Sequence, residues 1–326
     1  MTTKTILVTG GAGYVGSHAC KALAQAGFQP VVFDNLNTGH RELVKWGPLE
    51  IGDICDADAI RAVMAHYKPA AVMHFAALTV VSESVSHPAR YFRTNVDGTA
   101  ALLAVMRAHG VGKLIVSGTC AVYGLPADNP ITETTAIAPI NPYGESKLAM
   151  ERLVAEAGKD GAVSSVVLRY FNAAGADPDG ETGEWHEPET HLIPNVLRAA
   201  AGTGEPLKLY GEDYPTPDGT CIRDYIHVCD IADAHIAALT YLDTNPGGHI
   251  FNLGCGTGFS VRQVIDTARM VTGLPIPITI APRRAGDSPI LVANASKVKN
   301  ALGWSPHATL LDQVRDAWKW EQSGKR

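Results

Sequence analysis

Charge and aromatic side chains are sparse in this sequence: 18% of its 326 residues are Asp, Glu, Lys or Arg, and 7% are Phe, Trp or Tyr. Lys+Arg number 27 against 33 Asp+Glu, a formal net charge of −6, and no basic block occurs. A face that neutralises nucleic-acid phosphates is therefore not expected. Long apolar runs are missing as well. The longest apolar-rich stretch, residues 70–81, is interrupted by His74 and Thr79 and is too short for a bilayer. Only Ile6, Leu7 and Val8 separate the first residues from a run of glycines, so no secretory signal is expected. The six cysteines (Cys20, Cys55, Cys120, Cys221, Cys229, Cys255) show no C-x-x-C spacing. That pattern argues against a disulfide framework and for free thiols in a reducing compartment. Together these absences predict a cytoplasmic protein with no membrane and no nucleic-acid partner.

What the chain does have is alternation. Short β-branched and apolar runs at residues 5–9, 30–34, 49–53, 71–75, 113–116 and 163–169 are separated by helical patterns. The helical patterns cover 14–25, 56–67 and a segment ending near His109-Gly110. Runs of this kind predict a parallel sheet buried on both faces, the doubly wound α/β (Rossmann) class. After Phe171 the character changes. Residues 175–189 and 213–219 are rich in Gly, Pro and acidic residues and read as loops, with helices expected at 192–201, 230–242, 261–271 and 310–320. The expected division is a nucleotide-binding domain, 1–173 with a return segment about 225–255. A smaller, discontinuous substrate lobe, 174–224 and 256–326, completes the chain.

Gly10-Gly11-Ala12-Gly13-Tyr14-Val15-Gly16 joins the first strand to the first helix. Glycines there let the backbone turn tightly and approach a pyrophosphate at the helix N-terminus. On its own, G-x-x-G-x-x-G also describes an unliganded strand–helix turn. Context separates the two readings: Asp34 ends the second strand, where a carboxylate accepts from both ribose hydroxyls, and Asp53 follows the third, suited to the adenine edge. Asp34 would repel a 2′-phosphate, which favours NAD over NADP.

Asn141-Pro142-Tyr143-Gly144-Glu145-Ser146-Lys147 starts a helix with Asn as N-cap and Pro in the first turn. Tyr143 and Lys147 then share one face at i and i+4. A phenol titrates near pH ~10, so a base working near neutrality needs that value lowered by about 3 units. A neighbouring ammonium and a cationic nicotinamide together can provide this. Thr119, just after the fifth strand, stands where the carboxyl ends of parallel strands border a ligand crevice.

These segments resemble the extended short-chain dehydrogenase/reductase family, and within it the branch that epimerises nucleotide sugars. The glycine turn, Asp34-Asn35-Leu36, His74-Phe75-Ala76-Ala77, Thr119 and Tyr143-x-x-x-Lys147 carry the family resemblance. Leu168-Arg169-Tyr170-Phe171-Asn172, the block from Asp218 to Val228, Asn252-Leu253-Gly254 and Arg283-Arg284-x-Gly286-Asp287 carry the branch. The resemblance implies NAD-dependent interconversion of UDP-glucose and UDP-galactose through a 4-keto sugar, by a homodimer. Tyr143 would be the base, Lys147 would hold the cofactor ribose, and Thr119 would position the sugar oxygen. The implied cofactor residues are Gly10, Gly13, Tyr14, Val15, Gly16, Asp34, Asn35, Leu36, Asn37, Thr38, Gly39, Asp53, Ile54, Phe75, Ala76, Ala77, Asn95, Thr119, Tyr143, Lys147 and Phe171. The implied substrate residues are Thr119, Tyr143, Asn172, His191, Leu192, Lys208, Leu209, Tyr210, Arg223, Arg284, Asp287 and Leu291.

Some positions depart from the commonest pattern. Gly118 replaces a frequent serine, and Thr79 stands where some members carry a cofactor-facing lysine. Leu291 leaves acceptance of an N-acetylhexosamine open, its volume weighing against it, and UDP-pentoses are a further alternative. A dehydratase would place a carboxylate pair where Cys120-Ala121 stand. A non-catalytic NAD-sensing protein would be expected to lack Tyr143 or Lys147. His186, Glu187, Glu189 and His191 crowd one segment, but no metal-ligand spacing stands out and Pro188 interrupts any helix, so no metal is expected.

Overall fold

The apolar runs form the strands expected of them in a computed structural model that describes residues 3–284 and 286–325. β1 (Thr5–Thr9), α1 (Tyr14–Gln25), β2 (Gln29–Asp34), β3 (Leu49–Ile51), α2 (Ala57–Tyr67) and β4 (Ala71–His74) come first. Then follow α3 (Val81–Ser86), α4 (Pro88–Phe92), a π-helical turn at Arg93–Asp97, α5 (Gly98–Ala108), β5 (Lys113–Thr119), α6 (Pro142–Ala157) and β6 (Ser164–Tyr170). The remainder is β7 (Asn172–Ala174), α7 (Leu192–Ala201), β8 (Leu207–Tyr210), β9 (Ile222–His227), α8 (Val228–Tyr241) and β10 (Gly248–Leu253). β11 (Gly258–Ser260), α9 (Val261–Thr272), β12 (Ile278–Ala281), β13 (Ile290–Leu291), α10 (Ser296–Leu302) and α11 (Leu310–Gln322) complete it.

The first sheet has the order β10-β6-β5-β4-β1-β2-β3 and is parallel throughout. That is the doubly wound order, with its switch point between β1 and β4. Successive residues of β1 show why both faces are apolar: Ile6 and Val8 pack under Ala19 and Leu23 of α1 and Ile231 of α8. Leu7, between them, faces the other way with Ile60 and Met64 of α2, Leu102 and Met106 of α5, and Met150 of α6. Gly118, in β5, lies where a Cβ would come within 2.8 Å of Leu168 O, so a smaller residue lets β6 pair closely.

The second half adds a four-stranded sheet centred on β9, which pairs with β7, β11 and β13, and a parallel pair β8–β12. β9 therefore belongs to the second sheet, while α8 and β10 return to the first. Asp224 in β9 is buried and accepts from the N–H groups of Cys255 (2.7 Å), Gly256 (3.0 Å) and Ala293 (3.1 Å), tying three chain segments to one carboxylate. α7, α9 and α11 enclose the lobe's own core through Val196, Leu197, Val264, Ile265 and Val314. α8 begins two residues before the expected Asp230, because the His227 side chain accepts from Cys229 N at 3.1 Å and acts as N-cap. All six cysteines are free thiols. Among the described residues no helix is long and apolar enough to cross a membrane.

Candidate active site

A cleft of about 1450 Å³ runs along the carboxyl ends of β1, β2, β4, β5 and β6 and is walled on its other side by the lobe. Its three turn glycines do different work. Gly10 has φ +74°, and a Cβ there would lie 2.5 Å from Ala76 N; a Cβ on Gly16 would lie 2.2 Å from Gly10 O. Both are required by the packing of the turn itself. Gly13 is different, since its Cβ would meet only Gly10 O at 3.4 Å, and it lines the cleft. As N-cap of α1 it offers no side-chain acceptor, so the first-turn N–H groups at Tyr14, Val15 and Gly16 lack intrahelical partners where those residues line the cleft. Such a terminus suits an anion.

Asp34 ends β2 with its carboxylate accepting from Ala12 N (3.0 Å) and Leu36 N (2.9 Å), directly beneath Gly39. Burial pushes its pKa up, and the two backbone donors oppose that. Each oxygen takes one N–H, which leaves acceptor capacity for the two hydroxyls of a ribose. Asn35 donates to Asp53 at 3.0 Å, and both line the same end of the cleft. An uncapped helix start, a cleft-facing glycine and a buried acceptor at the strand end fit a dinucleotide without a 2′-phosphate.

In another part of the cleft, Asn141 accepts from Gly144 N (2.9 Å) and caps α6, with Pro142 in its first turn. Tyr143 is 9% exposed and Lys147 1%. Lys147 Nζ donates to Ser117 O at 2.7 Å and lies 3.8 Å from Met150 Sδ. Burial lowers its pKa to about 8, with the Glu151 charge opposing. Burial pushes Tyr143 up to about 12, against a hydrogen bond with Thr119. Of the protein's own groups the Thr119 hydrogen bond lowers the phenol and burial outweighs it; the Lys147 ammonium, expected to share that task, does not lower it here. Thr119 Oγ1 accepts from Ala121 N at 3.1 Å at the end of β5. Ser117 hydrogen-bonds through its own hydroxyl to Tyr170, so one residue of β5 holds both Lys147 and Tyr170.

From the lobe, Arg284 stacks over Tyr210, 3.9 Å from guanidinium carbon to ring centre. Arg223 Nη2 lies 3.6 Å from Asp287 Oδ1, and Asn172 donates to Asp224 O at 3.0 Å. These residues, with His191, Leu192, Lys208 and Leu291, line the cleft.

Four of the residues expected at the site are not on its surface. Lys147 lies behind Tyr143. Leu36 packs against the first core cluster, touching the site through its N–H to Asp34. Leu209 is 2% exposed, because alternation in β8 turns Lys208 and Tyr210 to the cleft and Leu209 inward. Asn95 is fully buried: it accepts from Leu78 N (2.8 Å) and donates to Leu78 O (3.1 Å) and Ser146 Oγ (3.0 Å). It clamps the loop after β4 to α6. Tyr14, expected at the cofactor, donates through its hydroxyl to Gly175 O (2.6 Å). The structure also adds one residue not expected from the sequence: Glu184 joins His186, Glu189 and His191 in place of Glu187.

The sheet order, the glycine turn and Tyr143-x-x-x-Lys147 beneath one cleft define the extended short-chain dehydrogenase/reductase class. Within that class the chain belongs to the NAD dependent epimerase/dehydratase family, whose model matches residues 6–254. It is 50% identical over 320 residues to a UDP-glucose 4-epimerase of Rhizobium leguminosarum bv. trifolii, covering 98% of each chain. The UDP-glucose 4-epimerase from Brucella ovis, solved in complex with NAD, superposes with TM-score 0.95 at 47% identity, covering 97% of this chain and 98% of that one. The UDP-Glc/GlcNAc 4-epimerase from Campylobacter jejuni gives TM-score 0.86 at 39% identity, covering 98% and 99%.

Proposed function

We propose that this protein interconverts UDP-glucose and UDP-galactose by oxidising sugar C4 to a ketone and reducing it again from the opposite face. The observation that carries this reading is the meeting of the Tyr143 and Thr119 hydroxyls at the end of β5, in the same cleft as the glycine turn. When bound, NAD supplies a hydride acceptor and donor at C4 and a cationic ring beside the phenol. Gly13, Tyr14, Val15 and Gly16 would hold its diphosphate, Asp34 one ribose and Lys147 the other, with Phe75, Ala76, Ala77 and Phe171 lining it. Tyr143 takes the proton of the 4-hydroxyl as the ketone forms and returns it after the keto sugar has turned over. Thr119 holds the reacting oxygen, a distance-fixing role that needs only its hydroxyl.

Turning the sugar requires that the substrate be gripped elsewhere. Arg223 and Arg284 offer forked donors to a diphosphate, and Asn172, His191, Leu192, Lys208, Tyr210 and Asp287 hold the rest of the nucleotide. Leu209 contributes through its backbone alone. A grip remote from C4 binds both sugar orientations equally and leaves the reacting carbon free to present either face. Leu291 packs with Val122, Tyr123 and Phe171 at the wall, and its volume disfavours an N-acetyl group. On the same reading the enzyme works in the cytoplasm as a homodimer, which light scattering would register as twice the chain mass.

Proton NMR of the purified protein with UDP-galactose, and separately with UDP-N-acetylgalactosamine, tests the proposal with no NAD added. Conversion of the first alone is expected. Failure to convert either substrate, even after NAD is supplied, overturns it.

A further inference from the structure

Two clusters of titratable side chains border the segment 175–191, and their contents differ. Asp177, Asp179 and Glu181 already enclose a cation of the protein, with Lys21 Nζ 2.8, 2.8 and 2.7 Å away. Glu184, His186, Glu189 and His191 instead present four ligand atoms within 4.8 Å of one another, closed only by their own histidines.

Hydrogen bonding inside the second cluster is incomplete. His191 Nδ1 lies 2.7 Å from Glu184 Oε1 and 2.8 Å from Glu189 Oε1, so a nitrogen with at most one proton faces two carboxylates. The Glu189 side chain is 1% exposed, yet its Oε2 has no hydrogen-bond partner among the described residues. His186 Nδ1, 3.5 Å from Glu184 Oε1, is likewise buried and without one. Buried polar atoms are ordinarily satisfied, so two such atoms converging in one cluster point to a missing occupant.

We propose that Glu184, His186, Glu189 and His191 bind one divalent transition-metal ion of the zinc type. Two carboxylates and two neutral imidazoles balance a 2+ charge. A mixed N/O set of four suits tetrahedral zinc, and the imidazoles select against calcium and magnesium.

The ion's position implies a structural task. Glu184 O accepts from Trp320 Nε1 of α11 (2.9 Å), Trp185 stacks on His40 with ring centres 3.9 Å apart, and His191 is the N-cap residue of α7. One ion at 184–191 would fasten these three parts of the molecule and fix the cleft wall that begins at Leu192.

The test uses untagged holoenzyme, stripped of metal with a chelator and then titrated with Co²⁺ in the presence of its cofactor. Uptake of one Co²⁺ per chain is expected, with the intense visible absorption of a tetrahedral site and displacement by one equivalent of Zn²⁺. His186→Ala and Glu189→Gln should each weaken binding at least tenfold while circular dichroism and bound cofactor stay unchanged. X-ray absorption of the zinc-loaded wild type, which needs no variant to fold, should show two imidazole nitrogens and two oxygens at about 2.0–2.2 Å. No stoichiometric uptake at micromolar metal overturns the proposal. So does equal uptake by both variants, which marks an adventitious ion only, or a different ligand shell in the zinc-loaded protein.

Discussion

Lys21 on α1 and Lys147 on α6 are both buried, at 8% and 1% exposure, yet their surroundings are opposites. Lys21 sits among three carboxylates, whereas Lys147 meets a neutral carbonyl, Ser117 O, and a thioether. Glu151, one helical turn after Lys147, is engaged by Arg169, whose Nε lies 3.0 and 3.2 Å from its two oxygens. Burial lowers the pKa of both lysines, but the carboxylates overcome it at Lys21, which ends above its usual value, while Lys147 falls to about 8. Desolvation is common to both sites, and the countercharge decides the outcome. A buried cation given its own anions is a clamp. One left without them is free to serve a group that arrives with substrate or cofactor, the role proposed for Lys147.

The strongest test of that contrast removes the partner that Lys147 is proposed to serve. Tyr143→Phe deletes one oxygen and should lower turnover of UDP-galactose by about 10²–10⁴-fold, the range of a lost general base. Bound NAD and the unfolding midpoint should be retained. A variant turning over within tenfold of wild type would assign the proton to another group.

His74 extends the comparison to a group buried with no anion at all. Thr99 donates to Asn95 O, so its oxygen accepts from His74 Nε2 at 3.0 Å, and His74 Nδ1 accepts from Thr9 at 2.7 Å. Burial, with the Lys147 charge adding to it, lowers the His74 pKa to about 3. The unfolded chain takes up the proton near pH ~6.5, so its stabilising share is complete above that value and is lost as pH falls toward 3. The full window is worth about 5 kcal/mol at 1.36 kcal/mol per unit. His74→Gln should flatten the fall of the unfolding free energy, read from urea titrations, below pH 6.5 by about 1.4 kcal/mol per pH unit. An unchanged slope would mean that the folded protein already carries charge at His74.

Lys147→Met separates function from stability. Turnover should drop at least 10²-fold. Its lowered pKa means that the folded state carries a desolvation cost of about 3 kcal/mol below pH 8, offset in the variant by one lost hydrogen bond of about 1 kcal/mol. At pH 7 the variant should therefore be at least as stable as wild type. Between pH 8 and 10.5 the unfolded lysine holds the extra proton, so wild-type stability rises with pH and the gap closes. Urea titrations at fixed NAD concentration, at pH 7 and 10, read both signs.

How much of this was legible in the sequence follows from what kind of group does the work. Strands β1 to β6, the glycine turn and the Asn141-Pro142 start of α6 are written in side-chain types and periods, and they appear where the residues place them. β9 was not, because Ile222–His227 mixes Arg223, Asp224 and His227 with its apolar residues and carries no apolar run to mark its sheet. Histidine is an unusual N-cap, which hid the start of α8 at His227. The partner of Lys147 is a backbone carbonyl with no side-chain signature at all. Glu184 was missed for Glu187 because the loop's path, and not spacing, selects which carboxylate turns inward. Leu209 could have been excluded, since alternation along Lys208-Leu209-Tyr210 turns it inward.

The smallest expected effect lies at the clamp itself. Lys21→Met leaves Asp177 buried, its Oδ2 still accepting from Glu181 N at 3.0 Å but its Oδ1 without the ammonium. Breaking a fully buried pair costs about 3–5 kcal/mol. Asp179 and Glu181, with side chains 75% and 45% exposed, recover water when the lysine goes, which reduces the expected loss to about 2 kcal/mol. In a chain of this length that is a fall in Tm of about 3 °C. Turnover should stay within a few-fold of wild type, because Lys21 does not line the cleft. High salt should narrow the gap by screening the two exposed partners while leaving the Asp177 share intact. Equal stability of Lys21→Met and wild type would break the comparison at its root, since a lysine among three carboxylates would then hold the fold no better than one facing a carbonyl.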